Sequence, residues 1–180
     1  MNILTPQTVV IIGGGNVGLS FALLLADKGI SSTLLEKATY PTISPDDDLD
    51  RAQFDSRNIA LSRRTVQIYR GITFNGKALW DDLQSHACRI DEVNISEEGS
   101  FGKATLNKHA EGVESFGQVM ENAWLGKKLL LAVQNNPLIT LLDGATLTDI
   151  QQTATDVTIR FDQAHQARQT LTADLLVACD

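Results

Sequence analysis

Cysteine is nearly absent: Cys88 and Cys179 stand far apart in 180 residues, with no spacing that suggests a metal site. That excludes a cysteine-built metal centre. A disulfide between them stays open but nothing in the chain requires it, and a reducing compartment suits the count. Positive charge is also in deficit. Fifteen lysines and arginines against 22 acidic residues leave a net charge of −7, and no basic patch offsets it, which argues against a nucleic-acid surface. No apolar run approaches the ~20 residues that cross a bilayer, so any membrane contact is expected to be peripheral. The opening residues Met1 to Gln7 lack the basic region of a signal peptide. Internal repeats, low-complexity segments and Gly/Ser linkers are missing too, so no clean domain boundary is visible.

What is present is a sizeable stock of core residues, 43% of the chain being hydrophobic, enough for one domain or one domain plus part of another. The organising stretch is Val9-Val10-Ile11-Ile12-Gly13-Gly14-Gly15-Asn16-Val17-Gly18, an apolar strand running into glycines at positions 13, 15 and 18. In a dinucleotide-binding turn the first glycine allows the tight turn, the second lets backbone approach a pyrophosphate, and the third lets the next helix pack closely. The phosphates meet the N–H groups and positive dipole end of that helix. The spacing predicts the helix over Leu19 to Lys28 with Gly29 as its C-cap. A strand over Ser31 to Glu36 follows, ending on an acid placed to accept hydrogen bonds from an adenosine ribose. An acid there also argues against a cofactor with a 2′-phosphate at this site.

Lys37 to Asp55 reads as a loop, its acidic run Asp46-Asp47-Asp48-Leu49-Asp50 being a solvated turn rather than a metal site. Arg57 to Ser62 closes the loop. Ser62 is the expected N-cap of a helix through Arg70, Asn75-Gly76 marks a turn, and Ala78 to Gln84 reads as a short helix. From Arg89 the period changes to two, predicting an antiparallel pair with Lys103 to Leu106. Gly117 to Asn122 leads into a helix over Ala123 to Gln134, stopped by Asn135-Asn136-Pro137. Ile139 to Leu142, Ala145 to Thr153, Asp156 to Phe161 and Arg168 to Ala173 read together as a small β-meander. A last apolar strand, Ala173 to Asp180, ends so abruptly that the chain is expected to be a fragment of a longer one. None of His86, His109 and His165 sits in a recognisable motif, and no nucleophile has a convincing base partner.

Four separated segments resemble the flavin-dependent aromatic hydroxylases, and within them the ubiquinone-biosynthesis branch. They are the Gly13 to Gly18 fingerprint with Glu36; Asp55-Ser56-Arg57-Asn58-Ile59-Ala60-Leu61-Ser62; Gly117 to Asn122; and Asp174 to Asp180, similar to the start of an Asp-Gly motif. The resemblance implies an α/β fold: a Rossmann-like, p-hydroxybenzoate-hydroxylase-like FAD-binding domain with a β-meander and the first strands of an antiparallel substrate sheet. Residues 1–180 would be the N-terminal FAD-binding region of a longer chain, with about 86–110 contributing to the substrate sheet.

It implies a monooxygenase that uses FAD, NAD(P)H as co-substrate and O₂ to hydroxylate a polyprenyl phenol ring through a flavin hydroperoxide. Other ubiquinone-biosynthesis proteins are implied as partners, and the location as cytoplasmic or peripheral to the inner membrane. Cofactor-binding residues carried over are Gly13, Gly15, Asn16, Val17, Gly18, Glu36, Lys37, Arg57, Gln118 and Asp180; no catalytic side chain and no metal ligand is implied. Arg57 would bring a guanidinium to the FAD phosphates or ribityl chain, and Gln118 would approach from the other side. The second FAD motif, usually Gly-Asp-Ala, is missing, so the fragment alone is expected to be inactive. Two other readings stay open: an NAD-dependent dehydrogenase, for which a parallel α/β continuation after Glu36 is expected, and a non-catalytic scaffold that keeps the fold.

Overall fold

The computed structural model describes residues 9–41, 57–99, 101–163 and 168–179, which fall into two compact units. The first contains residues 9–41, 126–163 and 168–179, the second 57–99 and 101–125. Most of Lys37 to Asp55, including the acidic run, lies outside the described residues, as does Asp180.

The first unit begins with β1 (Val9–Ile12), α1 (Asn16–Asp27) and β2 (Ser32–Leu35). Strand pairing is parallel and extends on both sides: β10 (Ile139–Leu142) pairs with β2, and β14 (Leu175–Ala178) with β1, giving the order β10-β2-β1-β14. α1 starts at Asn16, three residues before the expected Leu19, because Gly15 caps it and the ladder opens with the Leu19 N–H donating to the Gly15 carbonyl at 3.0 Å. It ends at Asp27 with Lys28, not Gly29, as C-cap, and Gly29 follows with a φ of 74° that suits a residue without a Cβ.

Between β10 and β14 lie β11 (Ala145–Gln152), β12 (Val157–Gln163) and β13 (Gln169–Ala173), an antiparallel meander. The expected meander therefore exists with three strands, and Ile139–Leu142 belongs elsewhere. Its apolar run suits a strand flanked on both sides of a parallel sheet as well as a meander strand, and only the long-range pairing decides. Alternation along the parallel strands splits their burial. Val10, Ile12, Leu35, Leu142 and Leu176 pack with Ala145, Val157, Ile159, Phe161 and Ala173 of the meander, while α1 packs on β1, β2 and β10. Val9, Ile11 and Leu34, one residue out of phase, are buried as well. Full burial of Ile159 and Phe161 contributes about 2 kcal/mol each.

The second unit contains β3 (Asn58–Ser62), α2 (Arg63–Gly71), the hairpin β4 (Thr73–Phe74) and β5 (Lys77–Ala78), α3 (Leu79–Leu83) with a 3₁₀ turn to His86, β6 (Cys88–Ile90), β7 (Glu92–Ser96), β8 (Lys103–Asn107) and β9 (Gly117–Glu121). Ser62 caps α2 as expected, its hydroxyl accepting from the Thr65 N–H at 3.1 Å. Asn75 and Gly76 both take positive φ, 51° and 76°, the pair a two-residue hairpin turn needs. α2 packs against β3, β9 and α3, burying Val66 and Tyr69 beside Leu79, Trp80 and Leu83.

Two segments read as connections are strands. Asn58–Ser62 and Gly117–Glu121 pair antiparallel, and β6 joins the far side of β9. Both are short and mixed in polarity, so their local pattern is weak. Gly117 makes the approach possible, since a Cβ there would overlap the Leu61 carbonyl. The expected pairing with Lys103 to Leu106 is present as the ribbon β7–β8, but it starts at Glu92, since Arg89 and Ile90 belong to β6 and pair with β9. The ribbon is preceded by Asp91, which a hydrogen bond from Lys108 at 2.6 Å holds below the usual carboxylate range. From β9 the chain passes into α4 (Asn122–Gln134), whose Leu125, Leu129, Leu130 and Val133 are buried. Among the described residues no helix is long and apolar enough to cross a membrane.

Candidate functional site

In the first unit β1 gives way at Gly13, whose φ of 98° no residue with a side chain adopts comfortably. The Gly13 N–H donates to the Leu35 carbonyl at 2.9 Å, which ties the turn to the end of β2. Gly18 lies in the first turn of α1 and is buried; a Cβ there would overlap the Gly13 carbonyl and sit 3.4 Å from the Cys179 Cβ. The first and third glycines are thus required by the protein itself.

Gly15 differs. It has an ordinary extended conformation, φ −65° and ψ −178°, and a Cβ added to it meets nothing within 4 Å among the described residues. Its lack of a side chain leaves open space over the N-terminus of α1. That helix end carries no side-chain cap on Gly15 and no acidic residue in the first turn, and Val17 is 67% exposed. The N-terminus of a helix, with the positive end of its dipole, favours an anion.

Glu36 follows β2 directly. One carboxylate oxygen accepts the Gly14 N–H at 2.6 Å and the other the Ala38 N–H at 2.7 Å, leaving each oxygen a further lone pair for a hydroxyl donor. A cavity of about 590 Å³ opens at the carboxyl ends of β1 and β2, lined by Gly13, Glu36, Lys37, Ala145, Thr146 and Leu147 among others. Crevices at this end of a parallel sheet are where such folds bind ligands. Gly13, Gly15, Asn16, Val17, Gly18, Glu36 and Lys37 therefore share one turn and its adjoining crevice.

Tyr40 and Asp143 escaped sequence reasoning. The Tyr40 hydroxyl donates to the Gly14 carbonyl, and the Tyr40 N–H donates to the Asp143 carboxylate at 2.9 Å. Burial first, then the Glu36 and Asp143 charges, push the Tyr40 phenol well above its ordinary 10.0. The sign of the resulting pH dependence follows from linkage. Below the ordinary value the phenol is protonated in folded and unfolded chains alike; above it the unfolded chain releases a proton that the folded chain retains, so stability falls as pH rises. Tyr40→Phe removes this loss along with a hydrogen bond. The variant is expected to be about 1 kcal/mol less stable at neutral pH, with the gap to wild type narrowing between about pH 9 and pH 11. Urea midpoints that run parallel across that range would contradict it.

Arg57 and Gln118 belong to the second unit. Arg57 is exposed just before β3, its carbonyl accepting the Asn122 N–H at 2.9 Å. Gln118 is buried in β9, opposite Leu61 and Arg89, and lines a small cavity of about 50 Å³ with Arg63, Arg70, Glu114 and Ser115. Asp180 lies outside the described residues; the preceding Cys179 donates its N–H to the Ile12 carbonyl at 2.7 Å.

A strand, glycine turn, helix and acid-ended parallel strand, with a meander on one face of the sheet, make the first unit a dinucleotide-binding α/β domain. The particular class is narrower: the chain belongs to the FAD binding domain family, whose profile matches residues 7–180. It is 27% identical over 136 residues to 3-demethoxyubiquinol 3-hydroxylase of Escherichia coli (strain K12), covering 76% of this chain and 32% of that protein. It is 27% identical over 175 residues to Ubiquinone hydroxylase UbiL of Rhodospirillum rubrum, covering 96% of this chain and 36% of that one. The chain thus spans about a third of the length of these curated relatives. Among solved structures, OxyS anhydrotetracycline hydroxylase from Streptomyces rimosus superposes with a TM-score of 0.72 at 21% identity, over 97% of this chain and 31% of that one. The fold is the p-hydroxybenzoate-hydroxylase-like one of flavin-dependent monooxygenases, as the sequence led us to expect.

Proposed function

We propose that this chain is the FAD-binding part of a longer NAD(P)H- and O₂-dependent monooxygenase that hydroxylates a polyprenyl phenol in ubiquinone biosynthesis. The observation that carries the cofactor reading is the open space at Gly15, over a helix end without a side-chain cap and beside a carboxylate with lone pairs to spare. The residues present fit FAD. The turn from Gly13 to Gly18 would hold the pyrophosphate, through the backbone at Gly15, Asn16 and Val17 where α1 begins, since the Gly13 and Gly14 N–H groups are engaged by Leu35 and Glu36, and Glu36 would hold the adenosine ribose. Lys37 would border the crevice that takes the adenosine. Arg57, Gln118 and Asp180 would add the remaining contacts. When bound, FAD supplies the redox chemistry that joins reduced nicotinamide, O₂ and the phenol; the protein orients, and keeps water out.

The substrate assignment is drawn from the two ubiquinone hydroxylases among the relatives. The ribbon β7–β8 would belong to the substrate sheet, with residues 86–110 as its beginning. Its Ile95 is 53% exposed and Phe101 fully so, apolar surface that a sheet extended by further chain would cover.

The test uses the full-length protein from the complete gene. It is expected to purify yellow, or to take up added FAD, and to bleach with NADH or NADPH; a colourless protein that binds no FAD overturns the reading. Glu36→Ala removes a charged acceptor and is expected to weaken FAD about tenfold or more in a fluorescence titration. The ring position hydroxylated is read from the quinone intermediates that accumulate in a deletion strain.

A further inference from the structure

Gly14 is a glycine the fingerprint does not ask for, since its spacing needs only positions 13, 15 and 18. A Cβ on Gly14 would collide with the phenolic oxygen of Tyr40, and the Tyr40 ring and Glu36 Cβ would each be 3.0 Å away. The hydroxyl filling that space donates to the Gly14 carbonyl, while Glu36 accepts the Gly14 N–H at 2.6 Å. Both backbone polar groups of one turn residue are therefore held by side chains from the segment after β2. That segment is itself anchored on the start of the meander: the Gly144 N–H donates to the Ala38 carbonyl at 3.2 Å, the Ala145 N–H to the Glu36 carbonyl at 2.9 Å, and the Tyr40 N–H to Asp143.

The Gly14 carbonyl and the Gly15 N–H belong to one planar trans peptide and point in opposite directions. Gripping the carbonyl from one side fixes the direction of the N–H on the other. We propose that Tyr40 is a positioning residue of the phosphate turn, holding the Gly14–Gly15 peptide so that the Gly15 N–H is presented to the cofactor's pyrophosphate. The proposal rests on the FAD reading given above. The phenol is protonated across the neutral range in any case, and burial with the two neighbouring carboxylates keeps it a donor well above that range.

The test compares full-length wild type, Tyr40→Phe, Gly14→Ala and the double variant. Two quantities are read: the FAD dissociation constant by flavin fluorescence, and amide exchange of the 13–18 segment in FAD-free protein. Tyr40→Phe is expected to raise the dissociation constant and to speed exchange of this segment, each about tenfold, as loss of one buried hydrogen bond would, with β11–β13 speeding less, by no more than the overall loss of stability gives. Gly14→Ala, which displaces the same hydroxyl, should weaken FAD similarly alone and add little to Tyr40→Phe. FAD binding by Tyr40→Phe within twofold of wild type, full additivity of the two changes, or exchange that rises equally in the 13–18 segment and in β11–β13 overturns the proposal. Were wild type to bind no FAD, the cofactor reading would fail and the clamp would be judged by exchange alone: an unchanged rate in Tyr40→Phe would overturn it.

Discussion

Gly18→Ala is expected to destabilise the first unit by about 2 kcal/mol and to abolish FAD binding. Two effects oppose each other. Alanine is the better helix former, worth about 1 kcal/mol over glycine inside a helix. Against this, the new Cβ would overlap the Gly13 carbonyl oxygen and lie 3.1 Å from its carbon, and neither is the free end of a side chain that can swing aside. Gly13 is held by its N–H on Leu35 and by a backbone conformation at φ 98° that leaves little room to adjust. On the far side the Cys179 Cβ, at 3.4 Å, blocks retreat toward β14. Overpacking against immobile backbone costs about 3 kcal/mol, which exceeds the propensity gain. A urea titration followed by far-UV dichroism measures the net loss. A midpoint equal to or above wild type would mean that the helix can slide away from the turn and that the close packing is not required.

The parts of this architecture that show in the sequence are those whose cause is local. The Gly13, Gly15 and Gly18 spacing, the Ser62 cap and the Asn75-Gly76 turn are each set by neighbours a few residues away, and the acid closing β2 shows because it ends a short apolar strand. What stayed hidden depends on contacts between distant residues. Tyr40 meets Asp143 across a separation of 103 residues, and Gly14 reads as a spare glycine until Tyr40 is seen lying over it. β9 hides because Gly117-Gln118-Val119-Met120-Glu121 shows neither a clear alternation nor a long apolar run, and its partners β3 and β6 come from far earlier in the chain. Parallel strands do continue the sheet, as a dehydrogenase reading expects, but β10 and β14 return only after intervening segments have been inserted. The periodicity of a single strand carries no record of such insertions.

Gly15→Val is expected to do the reverse of Gly18→Ala: little change in stability, with FAD affinity reduced about 100-fold on the proposed reading. The backbone at Gly15 is extended, a conformation that valine adopts freely, and a Cβ there touches no atom of the described residues. The folding cost is limited to the weaker helix cap, about 1 kcal/mol or less. Among the described residues no contact explains a glycine at this position, whereas the proposed pyrophosphate lying over it would. A pyrophosphate drawn against the backbone N–H groups would meet the isopropyl group instead, and a steric penalty of about 3 kcal/mol corresponds to roughly 100-fold in affinity. Parallel urea and flavin titrations separate the two effects. Wild-type FAD affinity in Gly15→Val would place the phosphates away from this turn, whereas loss of the fold would mean that Gly15 serves packing, as Gly18 does. The pair of variants thus distinguishes a glycine required by the protein from one required by its ligand, in a motif that the sequence writes identically at both positions.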